Sequence, residues 1–154
     1  MDGWESGVIQ VDDSLKLYSG LTEEELKASL FYKEKSTEVQ TLTTGYTWYR
    51  FKSVASSGGK TYYLALCFYQ SRLVHASLAM DGSEFPSSWD EWTEAGEMKR
   101  KAAHDEWLKQ QISGTPQIVR SKPYPYIEYS FPWGAIYSSY DPRSASASIG
   151  FTFI

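Results

Sequence analysis

The chain of 154 residues has one cysteine, Cys67, and no asparagine. A single thiol excludes a disulfide within the chain, and its place in the apolar run 62–69 marks a small buried hydrophobe rather than a nucleophile. Without asparagine there is no N-glycosylation sequon, which fits an intracellular bacterial origin. Histidine is almost as scarce, with only His75 and His104. Neither neighbours a recognisable nucleophile or stands at metal-ligand spacing, so structural roles are expected for both, with no metal and no cofactor. No window approaches the ~18 consecutive apolar residues that mark a membrane helix. The start, Met1-Asp2-Gly3-Trp4-Glu5, lacks the basic and apolar regions of a signal peptide. A cytoplasmic protein without a membrane partner is the expectation.

Basic residues are short at one end of the chain. Up to Glu25 there are seven acidic residues, Asp2, Glu5, Asp12, Asp13, Glu23, Glu24 and Glu25, against Lys16 alone. The net charge of −4 argues against sequence-independent binding of nucleic acid, which needs a basic surface to release counterions. The acidic stretch reads as a solvated face with a favourable first helical turn, or as a docking site for a basic partner.

What the chain does have is legible strand and helix punctuation. In the last segment Ala147, Ile149, Phe151 and Phe153 alternate with Ser146, Ser148, Gly150 and Thr152, the period of a half-buried strand. Its partner is 134–140, joined through the turn Asp141-Pro142-Arg143-Ser144. A chain ending inside its sheet is expected to be complete as a domain. Upstream, a short strand at 7–11 precedes a helix whose start carries a capping box, Thr22 with Glu25, and a hydrophobic staple, Leu21 with Leu26. This helix is expected to run to about Leu30, and 37–44 reads as a polar, β-leaning connection. Strands at 46–52, 61–69 and 72–80 form an antiparallel meander, with the tract Ser56-Ser57-Gly58-Gly59 between the first two and a tight turn at Gln70-Ser71.

A second, longer helix is expected from a capping box at Ser88 and Glu91 to Ile112, stopped by Gly114 and Pro116. Its stripe of Trp92, Ala95, Gly96, Ala103 and Trp107 is expected to cover the sheet, with Lys99, Arg100 and Lys101 opposite. Pro123-Tyr124-Pro125 then reads as an extended linker before a strand in which Ile127, Tyr129 and Phe131 alternate. The order β-α-β-β-β-α-β-β-β predicts one α+β domain over 1–154, a mainly antiparallel sheet packed against one long and one short helix.

Chemical motifs are thin. Gly58-Gly59-Lys60-Thr61 imitates the end of a phosphate-binding loop, but Val54 stands where the first glycine is required. The serines include no Gly-x-Ser-x-Gly elbow. Glu97, Lys101, His104 and Asp105 could form a polar helix patch, which i, i+4 ion pairing explains more simply.

Aromatics are plentiful: 12 Tyr, 6 Trp and 7 Phe. They occupy both faces of the strands at 46–52 and 61–69, so some face outward, where Tyr and Trp serve protein interfaces. Cross-strand stacking within the sheet explains them as well.

Two resemblances bear on function. Phe131-Pro132-Trp133-Gly134-x-Ile136, followed by Tyr140-Asp141-Pro142-Arg143-Ser144 and Ile149, resembles the ending of small uncharacterised bacterial proteins, some of them immunity proteins of polymorphic toxins. That resemblance implies a cofactor-free protein that masks a toxin's active site. Gly20-Leu21-Thr22-Glu23-Glu24, Tyr46-Thr47-Trp48-Tyr49, and Leu66-x-Phe68 with Arg72-Leu73-Val74 are similar to the helix-then-meander units of outer-membrane assembly lipoproteins and β-lactamase inhibitor proteins, which implies a sheet-on-helix topology.

The expected function is therefore protein binding, an immunity-type inhibitor of a cognate, basic partner, with Asp12, Asp13, Glu23, Glu24, Tyr46, Trp48, Tyr63 and Tyr69 as contact residues. One alternative is a small ligand-binding protein or enzyme with a pocket between helix and sheet where His75, His104 and tyrosines converge. Another is a homodimer that buries its aromatics against its own copy.

Overall fold

The computed structural model describes residues 4–35, 37–55, 59–82 and 84–154. Its centre is the C-terminal hairpin, β9 (Gly134–Asp141) and β10 (Ser146–Phe153), in the register that the alternation predicts, with Ala147 opposite Tyr140 and Phe151 opposite Ile136. Asp141 Oδ1 accepts the Arg143 N–H at 2.9 Å and closes the turn. The meander is β4 (Tyr46–Ala55), β5 (Thr61–Tyr69) and β6 (Arg72–Asp81). Between β5 and β6, Gln70 and Ser71 both take positive φ (51° and 66°), the geometry that matches a two-residue hairpin to strand twist. The Ser56-Ser57-Gly58 part of the expected loop lies outside the described residues.

Three strands join those expected. The polar stretch after the first helices is an edge strand, β3 (Thr37–Thr41), paired with β4. At the other edge β7 (Ile118–Arg120) pairs with β8 (Tyr126–Phe131). The stretch expected as an extended linker is thus the loop of a hairpin. Near the N-terminus, β1 (Ile9–Asp12) and β2 (Leu15–Leu17) form a separate small hairpin, turned by Asp12, whose Oδ1 accepts the Ser14 and Leu15 N–H groups. The large sheet has eight antiparallel strands in the order β3-β4-β5-β6-β10-β9-β8-β7. The α+β class and the mainly antiparallel sheet hold. Among the described residues, no helix is long and apolar enough to cross a membrane.

The first helix starts as its capping box dictates, with Thr22 and Glu25 bonded reciprocally. It is shorter than expected: α1 (Glu23–Ala28) gives way at Ser29, which is extended and whose hydroxyl caps α2 (Leu30–Glu34) through the Tyr32 N–H. The long helix, α3 (Glu94–Gln111), starts later than expected. Thr93, not Ser88, is its N-cap and accepts the Gly96 N–H at 3.0 Å. Ser87 instead donates to Glu91 within the preceding turn. At the other end Ile112 is an extended C-cap, so Gly114 stands beyond the helix stop.

All three helices lie on one face of the sheet. Phe31 of α2 meets Phe51 edge to face at 4.9 Å, and Trp107 of α3 meets Tyr62 at 5.7 Å and Trp4 at 5.3 Å. Beneath them the residues on the helix-covered face of the strands, among them Tyr49, Leu64, Leu66, Ala76, Leu78, Ile136, Ile149 and Phe151, form the core. Sandwiched between helices and sheet, these side chains supply the hydrophobic stabilisation of the fold.

The face that α3 buries differs from the expected stripe. Glu97, Arg100, Lys101 and His104 are buried together with Trp107 and Leu108, while Ala95 and Ala102 are exposed. The reason lies in the sheet. Pairing of β6 with β10 runs from His75 and Thr152 to Leu78 and Ile149 and stops there. Beyond it the two strands part, and their main-chain groups are satisfied by helix side chains. His104 Nε2 accepts the Met80 N–H at 3.0 Å, Arg100 Nε donates to the Met80 carbonyl at 3.0 Å, and Glu97 accepts the Ala147 N–H at 2.9 Å. A buried peptide group without a partner is costly, so polar residues occupy the helix face that pattern alone assigns to solvent.

Candidate functional site

With the helices on one side, the opposite face of the eight-stranded sheet is covered by no helix among the described residues. The registers place Trp48, Cys67, His75, Thr152, Ala135 and Ser130 along one line across β4, β5, β6, β10, β9 and β8, with Arg50, Ala65, Ser77, Gly150, Tyr137 and Glu128 on the next. Small residues, among them Cys67, Thr152 and Gly150, stand between the large ones. Rings therefore lean over their small neighbours and meet. Trp48 meets His75 edge to face at 5.8 Å, His75 stacks with Tyr137 at 6.1 Å, and Tyr137 stacks with Tyr126 at 6.0 Å. Gly150 makes the middle step possible, since a Cβ there would stand 2.2 Å from Tyr137 Cζ. The row is closed by cations at both ends. The Arg50 guanidinium lies 5.5 Å from the Trp48 ring and that of Arg120 5.1 Å from the Tyr126 ring, each within cation–π range.

Burial within this row shifts its titrating groups. The His75 imidazole is pushed down and the Tyr137 phenol up by desolvation, and the Tyr126 phenol is raised by burial and by its hydrogen bond to Glu128. Desolvation disfavours the charged form of each. The row presents neutral rings between two fixed cations.

Beside it the open face is hollowed. One depression of about 380 Å³ lies over β4, β5 and β6, between Arg50, Lys52 and Tyr63. A second, of about 550 Å³, opens where β6 and β10 part, and Arg100 of α3 is seen through the gap. In the segment before α3, Trp89 is 76% exposed, 6.5 Å from Trp92, whose Nε1 donates to the Ala145 carbonyl.

The structure divides the expected contact residues into two groups. Tyr46, Trp48, Tyr63 and Tyr69 all point from the open face, and Tyr46 stacks on Tyr69 across the β4–β5 ladder at 4.8 Å. The four acidic residues belong to the layer that covers the other face. Asp12 turns the small hairpin, Asp13 is exposed beside it, Glu23 is turned inward to accept the Tyr49 hydroxyl, and Glu24 is exposed on α1. The two histidines do not converge either, because His75 is on the open face and His104 is fully buried beneath the opposite one. His75, Tyr126, Tyr137, Arg50 and Arg120 were not among the expected contacts. Their signal was alternation within single strands, but the strand order that brings them together is non-sequential.

Among the described residues, no three His, Cys, Asp or Glu side chains cluster as a metal site. Comparison with family models, with curated proteins and with solved structures finds no match to this chain.

Proposed function

We propose that this chain is a protein-binding module of the inhibitor type and that it holds its partner on the open face of the sheet. The observation that carries the reading is the row from Arg50 through Trp48, His75, Tyr137 and Tyr126 to Arg120. Trp, Tyr and Arg dominate binding energy at protein interfaces because they bring large, stiff contact area with a polar end. An antiparallel sheet holds them pre-organised, which lowers the ordering cost of association. The row is apolar in the middle and cationic at its ends, so the surface it fits is apolar with carboxylates at either side. Net charge −4 and the carboxylates of Glu38 and Glu128 beside the row disfavour a nucleic acid. The likeness of the C-terminal segment to immunity-type proteins supports a toxin as the partner class and the bacterial cytoplasm as the setting.

The test is to capture a stoichiometric partner from the native cells with the tagged chain, then titrate it against purified variants. Trp48→Ala and Tyr126→Ala are expected to weaken binding by about 30-fold or more, as loss of a hot-spot residue does. The pair Asp13→Asn and Glu24→Gln should leave it unchanged. The opposite pattern would move the contact to the acidic layer. A stable homodimer in sedimentation that buries the row would overturn the reading.

A further inference from the structure

The parting of β6 and β10 has the chemistry of a binding site in its own right. Two strands paired from His75 to Leu78 separate just where the open face is hollowed by about 550 Å³. Its lining includes Lys52, Arg100, Ser77, Ser146, Ser148 and Tyr63, and among the described residues no carboxylate lines it. Arg100 is 6% exposed, yet it borders this hollow from the helix side. Its bonds go to the Met80 and Pro86 carbonyls and to Glu97. A guanidinium has five N–H groups, so two point to no partner among the described residues. Lys52 reaches over the same hollow from β4 and forms no ion pair among the described residues. Hydroxyls of Ser77 and Ser148 stand on the strands between the two cations.

We propose that this gap is a site for a small oxyanion, a phosphate ester or a carboxylate, held between the Lys52 ammonium and the free edge of Arg100 with serine hydroxyls as further donors. The anion would complete the hydrogen bonding of a cation already locked in place, and charge-assisted bonds to a pre-organised guanidinium are the strong ones. Glu97 pairs with Arg100 and accepts the Ala147 N–H at the same gap, so the charge left for the anion comes mainly from Lys52. The two sources of such a group are a free phosphate ester and an acidic side chain of a bound protein. The site does not depend on the aromatic row, and its failure would leave that reading standing, because neither Lys52 nor Arg100 belongs to it.

The test uses the intact chain and two probes, inorganic phosphate and acetate, titrated at constant ionic strength while the Arg100 Nε–H and the Ala79 and Ser148 amide resonances are followed. Saturable shifts at those positions are expected, about tenfold weaker in Lys52→Ala and unchanged in Lys27→Ala, the loss of one charge-assisted contact. Lys52 is exposed, so its removal does not threaten folding. Saturation by phosphate alone assigns the site to a phosphate ester. Saturation by both, together with displacement of a captured partner by phosphate, assigns it to a partner's carboxylate. Linear shifts without saturation, or shifts equal in Lys52→Ala and wild type, would overturn the proposal.

Discussion

His104 should make this protein lose stability in mild acid. The side chain is fully buried, its Nε2 accepts the Met80 N–H, and Arg100 and Lys101 stand beside it on α3. Burial first, and then these two cations, push its pKa down to about 3. In the unfolded chain an imidazole titrates near ~6.5. The folded value lies below the unfolded one, so between them the unfolded state binds the extra proton. Stability is therefore full above about pH 6.5 and is lost as pH falls towards 3. Integrated between about pH 7 and about pH 4.5, this one group accounts for roughly 2–3 kcal/mol. His75, lowered by its own burial, acts in the same direction. Glu25 and Glu91, whose carboxyls are held below the usual range by hydrogen bonds from Tyr18 and Ser87, lose their contribution only at lower pH.

The assay is urea unfolding across that pH range for wild type, His104→Gln and His75→Phe. A glutamine amide oxygen can still accept the Met80 N–H but does not titrate. His104→Gln is expected to flatten the slope by about 2 kcal/mol over the window, and His75→Phe by less. A wild type that changes by under about 0.5 kcal/mol there, or a His104→Gln variant as acid-sensitive as wild type, would refute the argument.

Glu97→Ala removes the acceptor of the Ala147 N–H and leaves Arg100 buried without its counter-charge; a loss of about 3–5 kcal/mol in urea unfolding is expected. A loss under about 1 kcal/mol would show that the strand parting does not need this pair. Gly150→Val would put a Cβ 2.2 Å from Tyr137 Cζ and push the ring off its stack, at about 0.5–1.5 kcal/mol for each of its two ring contacts. The Tyr137 phenol, now raised by burial, should then titrate lower in an NMR pH series, and an unchanged titration would contradict the packing of that ring over Gly150.

The strands at 61–69 and 146–153 could be read directly because both are governed by short-range rules, a period-2 face and a turn that two or four residues specify. The cap at Thr22 was equally local. Elements that failed to show were those with weak local signals. Edge strand β3 is a polar stretch stabilised only by its ladder to β4, and β7 is three residues long. Ser29 ended the first helix by capping another, a choice between two roles that the same residue type serves. On α3 the apolar pattern was outweighed by the need of Met80 and Ala147 for hydrogen-bond partners, which exists only once β6 and β10 have separated.

For the candidate site the division is similar. That some aromatics of the strands at 46–52 and 61–69 face outward followed from the sequence, since neighbours in a strand cannot all enter the core. Which face stays open did not, because it depends on where α1, α2 and α3 pack. Nor did the row across the sheet. It joins residues of β4, β6, β9, β8 and β7, and it exists because β10 inserts between β6 and β9 with a glycine under the Tyr137 ring. Strand identity, turn chemistry and the first cap are written in near neighbours along the chain. Strand order, the burial of Arg100 and Lys101, and the alignment of rings and cations are long-range pairings, decided when distant backbone groups compete for the same partners in space.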